Sequence, residues 1–316
     1  MRLHGVTLPL DHDGKLTSPA FYAILRNMKG KSSVTRRRFL RWLGLTTGSI
    51  GAMGFGGWKY AWEVEPWWLT LERVRVPIAG LPPAIEGLTI AQLSDLHWGK
   101  DVKESHIARA VDMAQKTKPD LILLNGDYVT HSARDIEDCA RELTRLTAPL
   151  GVYAILGNHD HWTNAQVVRA GLEAAGLPVL LNTHVRITVG DADLWLAGVD
   201  DVWERHADVD RALAGIPPGA LTILLAHEPD YADQVVGRGV VLQLSGHSHG
   251  GQVRLPLFGS PVLPKWGRKY PYGLRRVGDM WLYTNRGVGL IQPAVRFNCR
   301  PEVAAIQLVR HQVIGH

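Results

Sequence analysis

Five short apolar runs in this chain end in the same way, and that repetition constrains the fold more than any other feature. Residues 89–93 lead into Ser94-Asp95-Leu96-His97, and residues 121–124 lead into Asn125-Gly126-Asp127. Residues 153–156 precede Gly157-Asn158-His159-Asp160, residues 222–226 precede His227, and residues 240–244 precede Ser245-Gly246-His247-Ser248-His249. Runs of this length are those of buried strands. Amphipathic stretches at about 105–117, 134–147, 164–175 and 208–214 read as helices, and their alternation with the strands is that of an α/β layered domain. In open α/β sheets ligands bind outside the carboxyl ends of the strands. Five such ends, each delivering Asp, Asn or His, therefore converge on one place.

Each of these residues has an ordinary reading of its own. An Asp after a strand caps or turns, a lone His is usually a satisfied or exposed histidine, and Gly-Asn-His-Asp is an acceptable turn. As a set they are harder to reconcile with chance: Asp95, His97, Asp127, Asn158, His227, His247 and His249, with His159 beside them. Carboxylate, amide and imidazole donors without thiolate suit Mn, Fe, Zn or Co in preference to a closed structural zinc site. Seven donors are too many for one ion and fit two divalent ions if one carboxylate bridges. Glycines at 126, 157, 246, 250 and 251 let the backbone turn sharply and leave room beside the ions.

The motif series D-x-H, G-D, G-N-H-[DE], H and G-H-x-H stands complete and in order between residues 89 and about 255. In it the chain resembles the calcineurin-like metallophosphoesterases. Gly246 to Gln252, Thr284 to Gly289 and Asn298 to Glu302 further resemble the bacterial branch of exported or membrane-attached phosphodiesterases. The resemblance implies a four-layer α/β/β/α sandwich of two mixed sheets with a two-metal site at the strand carboxyl ends. It implies one metal on Asp95, His97, Asp127 and His249 and a second on Asp127, Asn158, His227 and His247, with Asp127 bridging. His159 would stabilise or protonate the leaving oxygen, and Asp160 is placed to orient it. Two such ions lower the pKa of a bridging water, so that hydroxide is available for in-line attack on phosphorus.

Charge separates the chain into parts. The net charge is +5 overall, but residues 1–62 carry ten Lys/Arg against two Asp, which leaves the rest slightly acidic. A sequence-independent nucleic-acid binder would keep its positive charge in the folded part, so no nucleic-acid partner is expected. Residues 35–41 read Thr-Arg-Arg-Arg-Phe-Leu-Arg, and residues 42–58 are uncharged and hold six glycines. That pattern is a twin-arginine export signal, read by its translocase as an address. It places the protein in the periplasm or on the outer face of the cytoplasmic membrane. A retained membrane anchor and a cleaved peptide are both compatible with it, since seventeen residues is the lower limit of a span and Trp58, Tyr60, Trp62, Trp67 and Trp68 cluster beyond it. The expected organisation is an extension over 1–34, with Met28 as an alternative start, the signal or anchor over 35–62, a linker and first strand over 63–88, and the metallophosphoesterase domain over 89–310. Cys139, at helical spacing with Ile136 and Leu143, reads as a buried thiol.

The substrate class has to come from elsewhere. Residues 264–310 carry nine Lys/Arg against two acids. This basic tail suits a phosphoryl or diphosphate group or an anionic membrane, and it is equally compatible with a solvated edge. Within it Arg286 is the candidate substrate-binding residue, because it follows the apolar run 280–283 in a Gly-rich loop. Trp98, Trp162 and Trp203 either line an apolar lip or pack in the core. The expected activity is a phosphodiesterase or diphosphate hydrolase. The alternatives are a hydrolase of a lipid-linked diphosphate such as UDP-2,3-diacylglucosamine, and a membrane-anchored binding protein with structural metals.

Overall fold

The computed structural model describes residues 2–3, 6–7 and 36–311. The chain divides into two compact units, Met1–Gly56 and Gly57–His316. Apart from a two-residue strand pair, Arg2–Leu3 with Val6–Thr7, the expected extension over 1–34 lies outside the described residues. The segment read as an export signal forms helix α1 (Arg36–Lys59) despite its glycines. Leu40, Trp42, Leu45 and Phe55 on it are exposed, so it is not a core helix. No helix among the described residues is long and apolar enough to cross a membrane.

The second unit holds two sheets. Its strands are β1 (Thr70–Ile78), β2 (Thr89–Leu93), β3 (Leu121–Asn125), β4 (Val152–Ile155), β5 (Thr183–Val189), β6 (Ala192–Gly198), β7 (Leu221–Leu225), β8 (Leu242–Ser245), β9 (Gly273–Val277), β10 (Met280–Thr284) and β11 (Glu302–Arg310). One sheet is ordered β1-β11-β2-β3-β4 and the other β9-β10-β8-β7-β6-β5. In the first, β2, β3 and β4 run parallel, β11 is antiparallel to β2, and β1 pairs parallel with β11 from Thr70–Glu302 to Ile78–Arg310. In the second, β6, β7, β8 and β10 are parallel, and the outer strands β5 and β9 are antiparallel to their neighbours. All five residues of β3 are buried, as expected of a parallel strand covered on both faces.

Burial of apolar side chains on both faces of each sheet fixes four layers. Ile90, Leu121, Leu123 and Ile155 meet Leu196, Ile223, Leu242 and Leu244 between the sheets. On the outer face of the first sheet, Ala91, Leu93, Ile122 and Leu124 pack under helices α2 (Glu104–Lys116), α3 (Ile136–Leu143) and α4 (Asn158–Ala174). Cys139 is buried in that layer as a free thiol. Helices α5 (Val209–Leu213) and α6 (Ala232–Val235) cover the outer face of the second sheet through Val209, Ala212, Ala232 and Val235. The architecture is the expected α/β/β/α sandwich of two mixed sheets.

The helix read from residue 164 is found, starting at the break at Asn164 (φ −178°, ψ 98°), whose side chain accepts from Val167 N at 3.2 Å; a further helical turn from Asn158, not read from sequence, precedes it. That turn is held because Gly157 N donates to the Asp160 carboxylate at 3.0 Å, so the ligand-bearing motif is itself the helix N-terminus. Residues 63–88 hold the expected first strand, β1, and the stretch before it is tied into the fold. Glu65 is buried, its carboxylate accepting from the backbone amides of Asn298 (2.9 Å) and Cys299.

Candidate metal centre

The site is built by backbone turns that L-residues adopt reluctantly. Asp95, His97, Asp127, His247 and His249 all have left-handed φ, of 53°, 51°, 56°, 69° and 51°. Each such residue costs of order 1–3 kcal/mol and persists only where its surroundings over-determine it. Here the chain leaves a strand and reverses at once, which brings the side chains of neighbouring strand exits over the sheet edges. Gly246 makes the closest approach possible: a Cβ there would overlap Ser94 Oγ and Asp95 Oδ2.

The seven sequence-predicted donors are brought together and buried. Asp127 lies at the centre. Its Oδ2 is 3.1 Å from His227 Nε2 and 3.6 Å from His97 Nε2. On one side His97 Nε2 and His249 Nε2 are 2.9 Å apart, and His249 Nε2 is 3.3 Å from Asp95 Oδ1. On the other, His247 Nδ1 lies 2.8 Å from Asn158 Oδ1. The potential ligand atoms of Asp95, His97 and His249, and those of Asp127, His227 and His247, fall within 4.8 Å of one another.

The outward nitrogens of these rings are tied to fixed partners. His227 Nδ1 donates to the Asn125 carbonyl at 2.6 Å, His247 Nε2 to the Lys265 carbonyl at 2.8 Å, and His97 Nδ1 pairs with Thr130 Oγ1 at 2.9 Å. Metal-bound imidazoles are held in this way, with one nitrogen donating to a backbone or side-chain acceptor and the other aimed at the ion. His227 Nε2 is buried beside Asp127 without a satisfied hydrogen bond. A cation between that lone pair and the carboxylates meets the need, so the donor set fits divalent ions.

Electrostatics agree with this reading. Burial pushes His97 and His247 down to about 3 and His249 well below its ordinary range, so three imidazoles are neutral and available as ligands. Burial pushes Asp95 up to about 7. Burial opposes charge on Asp127 and His227 as well, but their mutual attraction prevails, holding the carboxyl well below and the imidazole well above their usual values. Without a cation, a proton on His227 takes its place.

Of the expected catalytic pair, Asp160 departs from its expected role. His159 is the least buried member of the cluster; its amide donates to Asp127 Oδ1 at 2.8 Å, and its ring meets those of His97 and Trp162, each at 4.7 Å. Asp160 does not orient it. Its carboxylate accepts from the amides of Asp127 (2.8 Å), Tyr128 (2.9 Å), Val129 (3.3 Å) and Gly157 (3.0 Å), so it fixes the turn that presents Asp127. Half-exposed Trp162, tied to Glu204 at 2.8 Å, packs on the outer side of the His159 ring. Trp203 stands edge-on to Trp162 and near His247, whereas Trp98 packs against the core.

Arg286 is not free for substrate. Its guanidinium is held by Glu302 and Glu72, and its 16% exposed side chain is neutralised there, as a buried cation must be. Sequence reasoning missed Arg296, counted only as part of a basic tail. It is fully buried, donating to the carbonyls of Arg286 (2.9 Å) and Gly289 (2.8 Å) and lying 3.4 Å from His249 Nδ1. Asn125 was also passed over as part of a turn. Besides holding His227, it donates to Leu244 O at 2.7 Å and accepts from Gln92 at 3.1 Å, joining the two sheets beneath the site.

Residues 88–251 match the profile of the calcineurin-like phosphoesterase family. The chain is 34% identical over 280 residues to the phosphodiesterase YaeI of Escherichia coli, covering 87% of this chain and 100% of that one. It is 31% identical over 281 residues to the metallophosphoesterase YkuE of Bacillus subtilis, covering 87% and 98%. A zebrafish (Danio rerio) transmembrane protein with a metallophosphoesterase domain is 32% identical over 249 residues, 74% of this chain and 56% of the relative. With the motif residues gathered at the strand ends, these matches make the chain a member of the calcineurin-like metallophosphoesterase family and a hydrolase of phosphoric esters.

Proposed function

We propose that this protein is a metal-dependent phosphodiesterase or diphosphate hydrolase. The observation that carries the reading is the central Asp127, with its Oδ2 3.1 Å from the unsatisfied Nε2 of His227 and a second imidazole, that of His97, 3.6 Å away. Asp95, His97, Asp127 and His249 would hold one divalent ion, and Asp127, Asn158, His227 and His247 another. Two such ions supply Lewis-acid charge for phosphate oxygens and make water acidic enough to serve as nucleophile near neutral pH. His159, at the exposed side of the cluster, gives its proton to the leaving oxygen, and Trp162 packs on its ring. The likeness to a relative named as a phosphodiesterase favours diesters over monoesters. The arginine run at 36–38 supports export by the twin-arginine translocase, with the metallophosphoesterase unit outside the cytoplasm.

Purified protein is expected to hydrolyse bis(p-nitrophenyl) phosphate with Mn2+ or a similar divalent ion, faster than the monoester, and to lose that rate on chelation and dialysis. Undiminished hydrolysis after complete removal of metal would refute the reading.

A further inference from the structure

A cavity of about 350 Å3 opens next to His249. Val253, Val262, Leu263, Ile291, Pro293 and Val295 line it together with Ser248 and His249, the latter a member of the candidate metal centre. Its size falls in the ~300–1,000 Å3 range of small-molecule clefts. A phosphoryl group held at the cluster would extend whatever it carries on that side into hydrocarbon surroundings.

Between the cavity-lining residues Val253 and Pro261 the chain closes a tight loop. Leu255 N donates to Gly259 O at 2.8 Å and Gly259 N returns to Leu255 O at 2.9 Å, leaving Pro256, Leu257 and Phe258 as the tip. Leu257 is fully exposed and Phe258 85% exposed, with Leu255 at 42% and Val262 at 75%. Leu257 also has a left-handed φ of 69°, so backbone strain is spent on holding a large apolar side chain in water. Singly exposed leucines need no explanation, but a contiguous apolar tip on a loop whose two arms, through Val253 and Val262, line an apolar cavity does. The chain segment that carries it is cationic, although the carboxylates of Asp230 and Asp233 face its residues 268–270. Residues 250–278 carry Arg254, Lys265, Arg268, Lys269, Arg275 and Arg276 and no carboxylate, and of these Lys269 is paired with Asp233. An apolar tip on a cationic segment is complementary to the headgroup region of an anionic bilayer.

We propose that the loop at 254–263 docks on an anionic lipid surface and that the cavity behind it receives a hydrocarbon chain of an amphiphilic phosphodiester drawn from that surface. The chain-binding half rests on the phosphodiesterase reading above, whereas the docking half stands without it.

Docking is tested on the full chain through a nitroxide attached at Leu257→Cys. Cys139 and Cys299 are buried, so the new thiol is labelled selectively. On phosphatidylglycerol-containing vesicles the label is expected to gain contact with oxygen and lose contact with an aqueous nickel chelate. A label at Asp191→Cys, in the exposed turn before β6 at the opposite end of the sheet, should stay in water on the same vesicles. A label at 257 that stays in water on vesicle-bound protein overturns docking. So does dipolar broadening without lipid, which would mean that a second copy covers the tip.

Chain binding is tested with alkyl p-nitrophenyl phosphodiesters below their critical micelle concentrations. The kcat/KM of the decyl ester should exceed that of the ethyl ester roughly tenfold or more, and Ile291→Trp should abolish the difference by filling the cavity. Equal rates along the series would refute the chain site while leaving the phosphodiesterase standing. Hydrolysis of no member would refute the phosphodiesterase, and with it the chain site, and leave docking to be decided by the label.

Discussion

Among the residues of the site, two in adjacent positions separate by role. Asn158 faces His247 at 2.8 Å inside the cluster, while the less buried His159 packs between His97 and Trp162. On the proposed mechanism we expect His159→Ala to keep its metal and lose about 10²–10⁴-fold in turnover, with a smaller loss for leaving groups that need no proton. Asp127→Asn should lose metal and activity together, because it removes the charge both halves share. Elemental analysis alongside rate measurements distinguishes the two, and release of metal by His159→Ala would refute the assignment. Arg286 leads to a different expectation from the one its sequence position suggested. It neutralises Glu302, whose side chain is buried, so Arg286→Ala should lower unfolding free energy by about 3 kcal/mol in denaturant titrations. KM for a small aryl diester should stay as it is, and a raised KM with unchanged stability would return Arg286 to the substrate site. For Arg286 the sequence showed the residue type and its loop, while the buried partner Glu302 lay out of its reach; for His159 the neighbour Trp162 stands three residues on, but only the structure shows the two rings in contact.

The working elements of the site are the turns after β2, β3 and β8 and the start of α4. Their left-handed residues are stabilised by bonds between turns. The His247 amide donates to the Asp95 carboxylate at 2.9 Å, and the Asp95 and His97 amides donate to the carbonyls of Gly126 and Asp127, each at 3.0 Å. A Cβ at position 246 would enter the first of these contacts. Gly246→Ala should then cost about 1–3 kcal/mol and reduce bound metal, as read from a thermal melt and from metal content; a variant unchanged in both would show the turn to be more compliant than the contacts require. Elements with a strong period were legible in sequence, such as α2, read at 105–117 and found at Glu104–Lys116. Those that were not are β5, β6, β9 and β11; β5 and β9 are outer strands with few buried residues, and the pairing of β11 depends on a distant partner. Strand β11 reads as part of a basic tail until its nine-residue pairing with β1 is seen.

For the whole molecule, the body and the N-terminal segment make separate demands. Replacing Arg36 and Arg37 by Lys preserves charge but not the guanidinium geometry that a receptor reads, so we expect the variant to accumulate in the cytoplasm, as followed by cell fractionation. Unchanged export would refute the twin-arginine reading and leave the metal centre untouched. Several properties were already determined by the order of residues along the chain: the α/β class, the strand carboxyl ends as the place of the site, the donor types and the absence of thiolate. These follow from local pattern, because hydrophobic period and the residue after a strand are properties of short stretches. The tertiary structure alone decided which charges are spent and which are free. Asp160 is consumed by four backbone amides. Arg286 is consumed by two glutamates and Arg296 is buried against His249, while the apolar loop tip at 255–258 remains in solvent. Burial and pairing depend on residues tens to hundreds of positions apart, and a charge or an apolar side chain acquires its function only when the fold has determined what stands opposite it.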